Sequence, residues 1–283
     1  MQTTSISTRA WRQYVGRVAW RTVALALFSA VGFGVTTVSA QLGYLPLWVA
    51  VAINTGMIYL LFTPAHEAAH GNIKGRRMRY KWLEEAVGWV SSMSFTAPLP
   101  MFKRIHLTHH NHTNDPHEDP DYWVADKRKW MVALRCFTVV GDYYYHYFRR
   151  TRTLLAAPAT RREFVATLIG LAVVYGTVIA WGLTAGWVYP LVLWLLPALL
   201  ATAFLAFVFD YLPHHPHSVQ GRYLDTRIIL FPGLSTLLVS QNMHLIHHLY
   251  PAIPYYHYGD TFELLEDELR SKGAKIEDWT API

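Results

Sequence analysis

Two long stretches without a charged residue constrain the fold of this chain more than any other feature. Between Thr22 and Thr63, and again between Phe164 and Phe209, there is no Lys, Arg, Asp or Glu. Each stretch divides into two apolar runs, and one run spans about 30 Å as a helix, enough to cross the hydrocarbon core of a bilayer. The sequence therefore predicts four membrane-spanning helices in two hairpins, over residues 22–40, 45–63, 164–182 and 187–209.

Composition and charge placement also indicate a membrane protein. The 283 residues are 52% hydrophobic and 16% charged, with a net charge of +6. Every Lys and Arg lies outside the hairpins, so the positive-inside rule places the remaining segments, and both termini, in the cytoplasm. Such a basic surface suits anionic lipid, and we expect no nucleic-acid partner. The single cysteine, Cys136, excludes an intrachain disulfide and a cysteine-bound cluster.

The segments outside the hairpins predict a helical cap on the cytoplasmic side. This cap comprises residues 64–163 and 210–283, within one domain that covers residues 1–283. The basic segment Met1–Arg21 predicts a short amphipathic helix that lies on the membrane. A cleaved signal peptide is not expected, because the apolar run that follows is long enough to span.

Two further apolar segments are too short or too polar to span the bilayer securely. Lys81–Pro100 contains Glu84 and Glu85, which favours an interfacial or re-entrant helix, with a fifth span as the alternative. Ile228–Ser240 is predicted to be interfacial as well. Asp260–Ile283 mixes acidic and basic residues and predicts a surface helix followed by a frayed end.

Histidines are concentrated in four clusters beside the predicted spans. The densest cluster places five histidines and four carboxylates within residues 106–121. On a helix His106, His109 and His110 would share one face, at positions i, i+3 and i+4. Thirteen of the fifteen histidines belong to this cluster and three others, at residues 66–70, 210–217 and 241–248.

This concentration of imidazoles predicts a site for two metal ions. The hairpins bring the inner ends of the second and fourth spans to one surface, where the other two clusters can close over them. The histidines outnumber the three or four ligands that one zinc ion needs. Nitrogen ligands without a thiolate suit iron that reacts with O2, so two iron ions are the expected cofactors.

The order H-x-x-x-H, H-x-x-H-H, H-x-x-H-H, together with two hairpins, resembles the membrane-bound fatty acid desaturase and hydroxylase superfamily of di-iron, O2-activating enzymes. The resemblance covers about Leu61–Tyr258. It implies an all-α integral membrane fold, with four transmembrane helices and a cytoplasmic helical cap that holds the di-iron site. The implied iron ligands are His66, His70, His106, His109, His110, His214, His244, His247 and His248.

Other residues of the clusters are interpreted as further ligands or as side chains that support the ligands. Asp210 stands four residues before His214, where acyl desaturases have an asparagine. Asp115, Asp119 and the neighbouring acids are placed to accept the outer N–H groups of imidazoles. The residues in this class are Glu67, Asp210, His112, Asp115, His117, Asp119, His217 and Asn242.

Within the superfamily, two motifs are similar to those of desaturase-like carotenoid ring hydroxylases. They are His-His-Asn-His-Thr-Asn-Asp-Pro from His109 and His-His-Leu-Tyr-Pro-Ala-Ile-Pro from His247. The first box departs from them, because it begins His66-Glu67 where those enzymes more often have His-Asp. Hydroxylation of a carotenoid β-ring is therefore narrowly preferred to fatty acyl desaturation. Oxidative decarboxylation of a free fatty acid is a further alternative.

The resemblance also implies the partners of the reaction. A lipid substrate would enter from the bilayer, O2 would be the co-substrate, and an external donor would supply electrons. Ferredoxin or a similar small protein, with its reductase, is the expected donor on the basic cytoplasmic face, and a bacterial inner membrane is the expected location. The candidate walls of the lipid tunnel are Trp82, Trp89, Phe95, Phe102 and Trp123.

Two functions of other classes are alternatives. His66-Glu67-Ala-Ala-His70 matches H-E-x-x-H, the signature of zinc metalloproteases, with Glu67 as general base. A membrane-embedded protease would leave eleven of the clustered histidines unexplained. A metal transporter would need an ion path, and the charge-free spans do not provide one.

Overall fold

The computed structural model describes residues 11–280, and their regular structure is almost entirely helical. Four helices are long and apolar enough to cross a membrane. This confirms the predicted all-α fold with four spanning helices. These helices are α1 (Trp20–Gln41), α2 (Leu47–His70), α6 (Pro158–Ala185) and α7 (Val188–His214).

The other elements form the cap, which comprises residues 71–157 and 215–280 in the structure. Two short parallel strands pair within it, with Arg227 opposite Lys275. The helices of the cap are α3 (Lys81–Met93), α4 (Leu99–His112), α5 (Lys129–Thr153), α8 (Leu234–Leu237), α9 (His244–Leu249) and α10 (Tyr258–Ser271). The strands are β1 (Arg227–Leu230) and β2 (Lys275–Asp278).

Helices α2 and α7 continue beyond the ends that the sequence predicted. The apolar runs end at residues 63 and 209, whereas the helices end at His70 and His214. Residues 63–69 are buried, so their backbone has no water to bond and the helical hydrogen bonds continue. His66 and His70 therefore stand on the spanning helix α2 itself, and Asp210 and His214 stand on the spanning helix α7.

The secondary structure differs from the prediction in the two short apolar segments and near the two ends of the chain. Lys81–Pro100 contains two elements, since α3 ends before α4 begins. The interfacial prediction for Ile228–Ser240 was wrong in part, because its buried isoleucines form β1. The predicted frayed end contains β2. Of Met1–Arg21, residues 1–10 lie outside the described residues, and Trp11–Tyr14 form a single 3-10 turn against the cap.

The two hairpins pack differently. In the first, α1 and α2 contact each other along their lengths, whereas α6 and α7 contact each other mainly near their turn. Helix α6 instead packs against the junction between α3 and α4, where Gly170 faces Pro98 and Trp89. Helix α7 packs against α2 and α5. Because α6 and α7 diverge, the cap helices approach the bundle between them.

One buried amide ties three of the spanning helices together. Asn54 on α2 donates from Nδ2 to the hydroxyl of Thr37 on α1 at 2.9 Å and to the carbonyl of Leu193 on α7 at 2.8 Å. Leu193 lies in a π-helical stretch of α7, Leu191–Leu195. Within a bilayer no water replaces such bonds, so this amide helps to fix the arrangement of the helices.

Gly170→Ala should weaken the packing of α6. A Cβ atom there would lie 2.7 Å from the Cβ of Pro98 and 2.9 Å from the ring of Trp89, so the helices must separate. We expect a loss of about 1–3 kcal/mol, seen as a lower thermal unfolding midpoint in detergent. Gly176→Ala is the matched control, because its Cβ would meet nothing within 4 Å. Equal midpoints for both variants would contradict this account.

Candidate metal centre

The nine histidines that the sequence predicted as ligands converge at the cap ends of α2 and α7. Their ring nitrogens form two groups, and within each group the nitrogens lie within 4.8 Å of one another. The first histidine group is His66, His70, His106, His110 and His247. The second histidine group is His109, His214, His244 and His248.

Helical geometry explains which histidines share a group. Residues at i and i+4 lie about 40° apart around a helix, so the two outer histidines of every motif reach the same group. The middle histidine of each H-x-x-H-H motif, His109 on α4 or His247 on α9, reaches the other group. The expectation of a shared face for His106, His109 and His110 is therefore too simple, because that motif divides between the groups.

The spacing of the nitrogens fits metal binding. In the first histidine group the Nε2 atoms are 2.9 Å apart for His66 and His247 and 2.7 Å apart for His70 and His106. In the second, those of His244 and His248 are 3.1 Å apart. Nitrogens bound at right angles around one ion, each about 2.1 Å from it, would lie about 3 Å apart.

The protonation of the rings also fits metal binding. Burial and neighbouring imidazoles lower the pKa values of His106, His110, His247 and His248 well below the usual value. Burial and His109 lower the pKa of His244 to about 3. These rings are therefore neutral at physiological pH, and the neutral ring is the form that binds a metal.

Outer partners orient several of the rings. His214 Nδ1 lies 3.0 Å from the backbone oxygen of Asp225. A carbonyl only accepts, so Nδ1 carries the proton and Nε2 has a free lone pair. That Nε2 is buried and has no partner among the described residues, which suits a metal ligand. His247 Nδ1 is likewise 3.0 Å from the hydroxyl of the fully buried Tyr258.

Two carboxylates hold His109. Its Nδ1 lies 2.9 Å from Asp119 Oδ1 and 3.2 Å from Asp121 Oδ2. Burial alone would lower the pKa of His109, but the carboxylates of Asp121 and Asp119 raise it to about 10. Asp119 is itself fixed, because it accepts from the backbone N–H groups of Asn114 and Asp121. Asp119 and Asp121, two acids of this loop, thus contact the outer nitrogen of a predicted ligand.

Three predicted supporting residues have other partners. The Glu67 carboxylate accepts from the backbone N–H of Tyr255 at 3.2 Å. Asp210 accepts from the hydroxyl of Tyr143 at 3.0 Å. Asn242 donates to the carbonyl of Ile229, at 2.8 Å, and so supports the loop before α9. Among the described residues, none of these three side chains belongs to a candidate metal group.

The last four predicted residues also lie outside both histidine groups of the described chain. His112 is exposed at the end of α4, and the turn that follows places His117 at the surface. Asp115 accepts from the backbone N–H groups of that turn. His217 is buried against the rings of Tyr122 and Tyr211.

An apolar cavity lies beside the first histidine group. Its polar lining includes His106, Asp121, Tyr143 and Asp210. The candidate wall residues Phe95 and Phe102 do line it, together with Phe62, Met101, Ile105 and Leu205. The other three candidates do not, because Trp82 and Trp123 are exposed and Trp89 packs against Gly170.

Sequence reasoning missed Tyr143, Tyr258 and the carbonyl of Asp225. A tyrosine on a half-exposed helix carries no local sign that its hydroxyl meets two carboxylates. A backbone carbonyl has no sign in the sequence at all. Of these three groups, Tyr258 came closest to being predictable, because it follows the last histidine motif shortly and stands at the start of a helix.

Comparison with known proteins matches residues 42–279 to the model of the family described as fatty acid desaturase. This chain belongs to the fatty acid desaturase family. A fatty acid conjugase of Calendula officinalis is 22% identical over 77% of this chain and 67% of its own length. A chloroplastic sn-2 acyl-lipid omega-3 desaturase (ferredoxin) of Helianthus annuus is 23% identical over 84% of this chain. This chain spans 60% of the Helianthus protein.

Tyr258→Phe should weaken metal binding. His247 would lose the hydroxyl that faces its outer nitrogen, and loss of such a partner lowers metal affinity roughly 10- to 100-fold. Competition of the iron-loaded protein with a chelator would measure this. Tyr223→Phe is the control, because its hydroxyl bonds Glu268 in the same part of the cap, away from the histidines. The account fails if both variants retain iron equally.

Proposed function

We propose that this chain is a membrane-bound, O2-dependent oxidoreductase that oxidises unactivated C–H bonds of a lipid. The observation that carries the proposal is the meeting of two groups of imidazoles with an apolar cavity that His106 lines. The nine histidines would hold two iron ions, and these would supply activation of O2 and removal of hydrogen from carbon. Membership of the fatty acid desaturase family supports this chemistry.

The residues of the chain would position the reactants. Phe62, Phe95 and Phe102 give the cavity walls that exclude water and accept a hydrocarbon. The outer bonds of His109 and His247 fix the direction of these rings, so the site is organised before substrate arrives. The reaction that follows, hydroxylation or desaturation, would depend on where the cavity holds the carbon atom.

Two substrate classes are supported by different observations. The names of the relatives concern fatty acids, as in the conjugase and the omega-3 desaturases, and this supports desaturation of a fatty acyl chain. The motifs that begin at His109 and His247 resemble those of carotenoid hydroxylases, and this supports carotenoid ring hydroxylation as the second candidate. We place acyl desaturation first, because whole-chain comparison weighs more than two short motifs.

The proposal includes an external electron donor and an orientation. The name of the Helianthus relative includes ferredoxin, which supports a donor of that kind. Arg17, Arg76 and Arg77 lie close together, since the backbone N–H of Arg76 donates to Gly16, and they form a basic surface for an acidic donor. We propose that this surface faces the cytoplasm, as the positive-inside rule indicates.

The position of Glu67 weighs against the zinc metalloprotease. A general base must reach the water on the metal, but the Glu67 carboxylate bonds the backbone of Tyr255. One zinc ion would also leave the second histidine group without a role. The oxidoreductase accounts for both groups.

The first test is mass spectrometry of total lipid from a host that makes β-carotene and ordinary fatty acids, with a ferredoxin and its reductase present. Acyl chains that lack two hydrogens are expected with the wild-type chain and should be absent with His110→Ala. His215→Ala is the matched control, since His215 lies outside both histidine groups.

The other products of this experiment decide between the alternatives. A carotenoid with added hydroxyl groups would select the second candidate, and a shortened hydrocarbon would select decarboxylation. If no lipid changes although the donor is active, the oxidoreductase proposal is wrong.

Removal of the metal with a chelator, followed by addition of iron(II) or zinc, distinguishes the proposed oxidoreductase from a metalloprotease. The chelated protein should lose all lipid oxidation, iron(II) should restore it, and zinc should not, because zinc has no redox chemistry. Two iron ions per chain are expected by elemental analysis. Peptide cleavage restored by zinc alone would favour the protease.

A further inference from the structure

The cavity beside the first histidine group is apolar along most of its wall, but it also exposes a carboxylate–phenol–carboxylate arrangement. The Tyr143 hydroxyl lies 2.7 Å from Asp121 Oδ1 and 3.0 Å from Asp210 Oδ2. All three side chains line the cavity. They come from three elements: the turn after α4, helix α5 and helix α7.

This arrangement has more acceptors than donors. A phenol has one proton and donates to one carboxylate at a time. Asp121 has a second partner in His109 Nδ1, at 3.2 Å. Asp210 has no hydrogen-bond partner other than Tyr143 among residues 11–280. A carboxylate in an apolar wall is costly unless donors reach it, so Asp210 has room for a further donor.

A second hydroxyl in the cavity also lacks a partner. The Oγ1 of Thr202, on α7, is buried and makes no hydrogen bond within the described part of the chain. Thr202 lines the same cavity as Tyr143 and Asp210. The lining of this largely apolar cavity thus includes two residues with unpaired polar groups, the acceptor of Asp210 and the hydroxyl of Thr202.

We infer that this polar part of the cavity binds a hydroxyl group carried by the lipid substrate. The hydroxyl would donate to Asp210, while the single proton of Tyr143 stays between Asp121 and Asp210 and holds the two side chains in place. The protein would therefore select a lipid that already bears a hydroxyl over the same lipid without it. This inference rests on the proposed function, and it adds a feature of the substrate that the family comparison does not provide.

The chemistry of the site excludes other head groups. A carboxylate or phosphate needs several donors, and Asp121 and Asp210 offer mainly acceptors, so an acidic head group belongs elsewhere. His106 lines the same cavity, so the bound hydroxyl would lie near the carbon that is oxidised. The substrate would then be the product of an earlier lipid hydroxylation, and the bond oxidised here would be close to that first oxygen.

The test measures equilibrium binding to the iron-loaded, full-length protein in detergent, without turnover. Two sets of probes are used. One pairs β-carotene with its monohydroxylated form. The other pairs octadecanoyl phosphatidylcholine with hydroxyoctadecanoyl phosphatidylcholines, each with the hydroxyl at a different chain carbon. At least one hydroxylated probe should bind roughly 10- to 100-fold more tightly than its parent, because the parent leaves the buried acid of Asp210 without a donor.

The variants Asp210→Leu, which removes the acceptor, and Tyr143→Phe, which removes the hydroxyl that positions it, should each abolish most of this preference. Tyr144→Phe is the matched control, because Tyr144 lines the same cavity but donates to the backbone of Thr96. The ratio of its affinities for the hydroxylated and the parent probe should equal that of the wild type. Iron content and unfolding midpoint, measured for every variant, show whether the fold is intact. Two variants are used so that one can fail to fold without loss of the test.

Each outcome decides the proposal. Equal binding of parent and hydroxylated probes by the wild type would overturn it and leave the proposed function intact. A preference retained by a folded Asp210→Leu or Tyr143→Phe protein would also overturn it. If no lipid of either class binds, the proposed function fails as well, and this inference fails with it.

Discussion

The arrangement of this protein depends on holding nine imidazoles close together, with the rings around His109 kept neutral by burial. Protonated rings at these distances would repel one another, so each ring has to direct a lone pair inward and carry its proton on the outer nitrogen. The outer nitrogens of His109, His214 and His247 meet a carboxylate, a backbone carbonyl and a phenol. These partners come from three separate parts of the cap, so the folding of the cap and the geometry of the site are linked.

The spanning helices supply the rigid part of this arrangement. A backbone in a bilayer satisfies its hydrogen bonds internally, so α2 and α7 continue as helices until they enter the cap. They therefore present His66, His70 and His214 from firm positions. The cap helices α4 and α9 close over them with the same H-x-x-H-H spacing, and each gives its middle histidine to the other group.

One carboxylate joins the metal centre to the cavity. One oxygen of Asp121 faces Nδ1 of His109, and the other accepts from Tyr143, which also contacts Asp210. A molecule in the cavity and a ligand of the second histidine group thus contact the same side chain network. Under the proposed function, the position of the substrate would influence the orientation of His109 through these contacts.

The sequence by itself determined the four spans and the histidines that meet, because apolar length and helical spacing act locally. It could not separate an interfacial segment from a buried strand at Ile228–Ser240, since the strand's partner, Lys275–Asp278, lies far along the chain. Nor could it divide the histidines into two groups or select Tyr258 as a partner. Those features depend on how distant elements pack, and only the tertiary structure decided them.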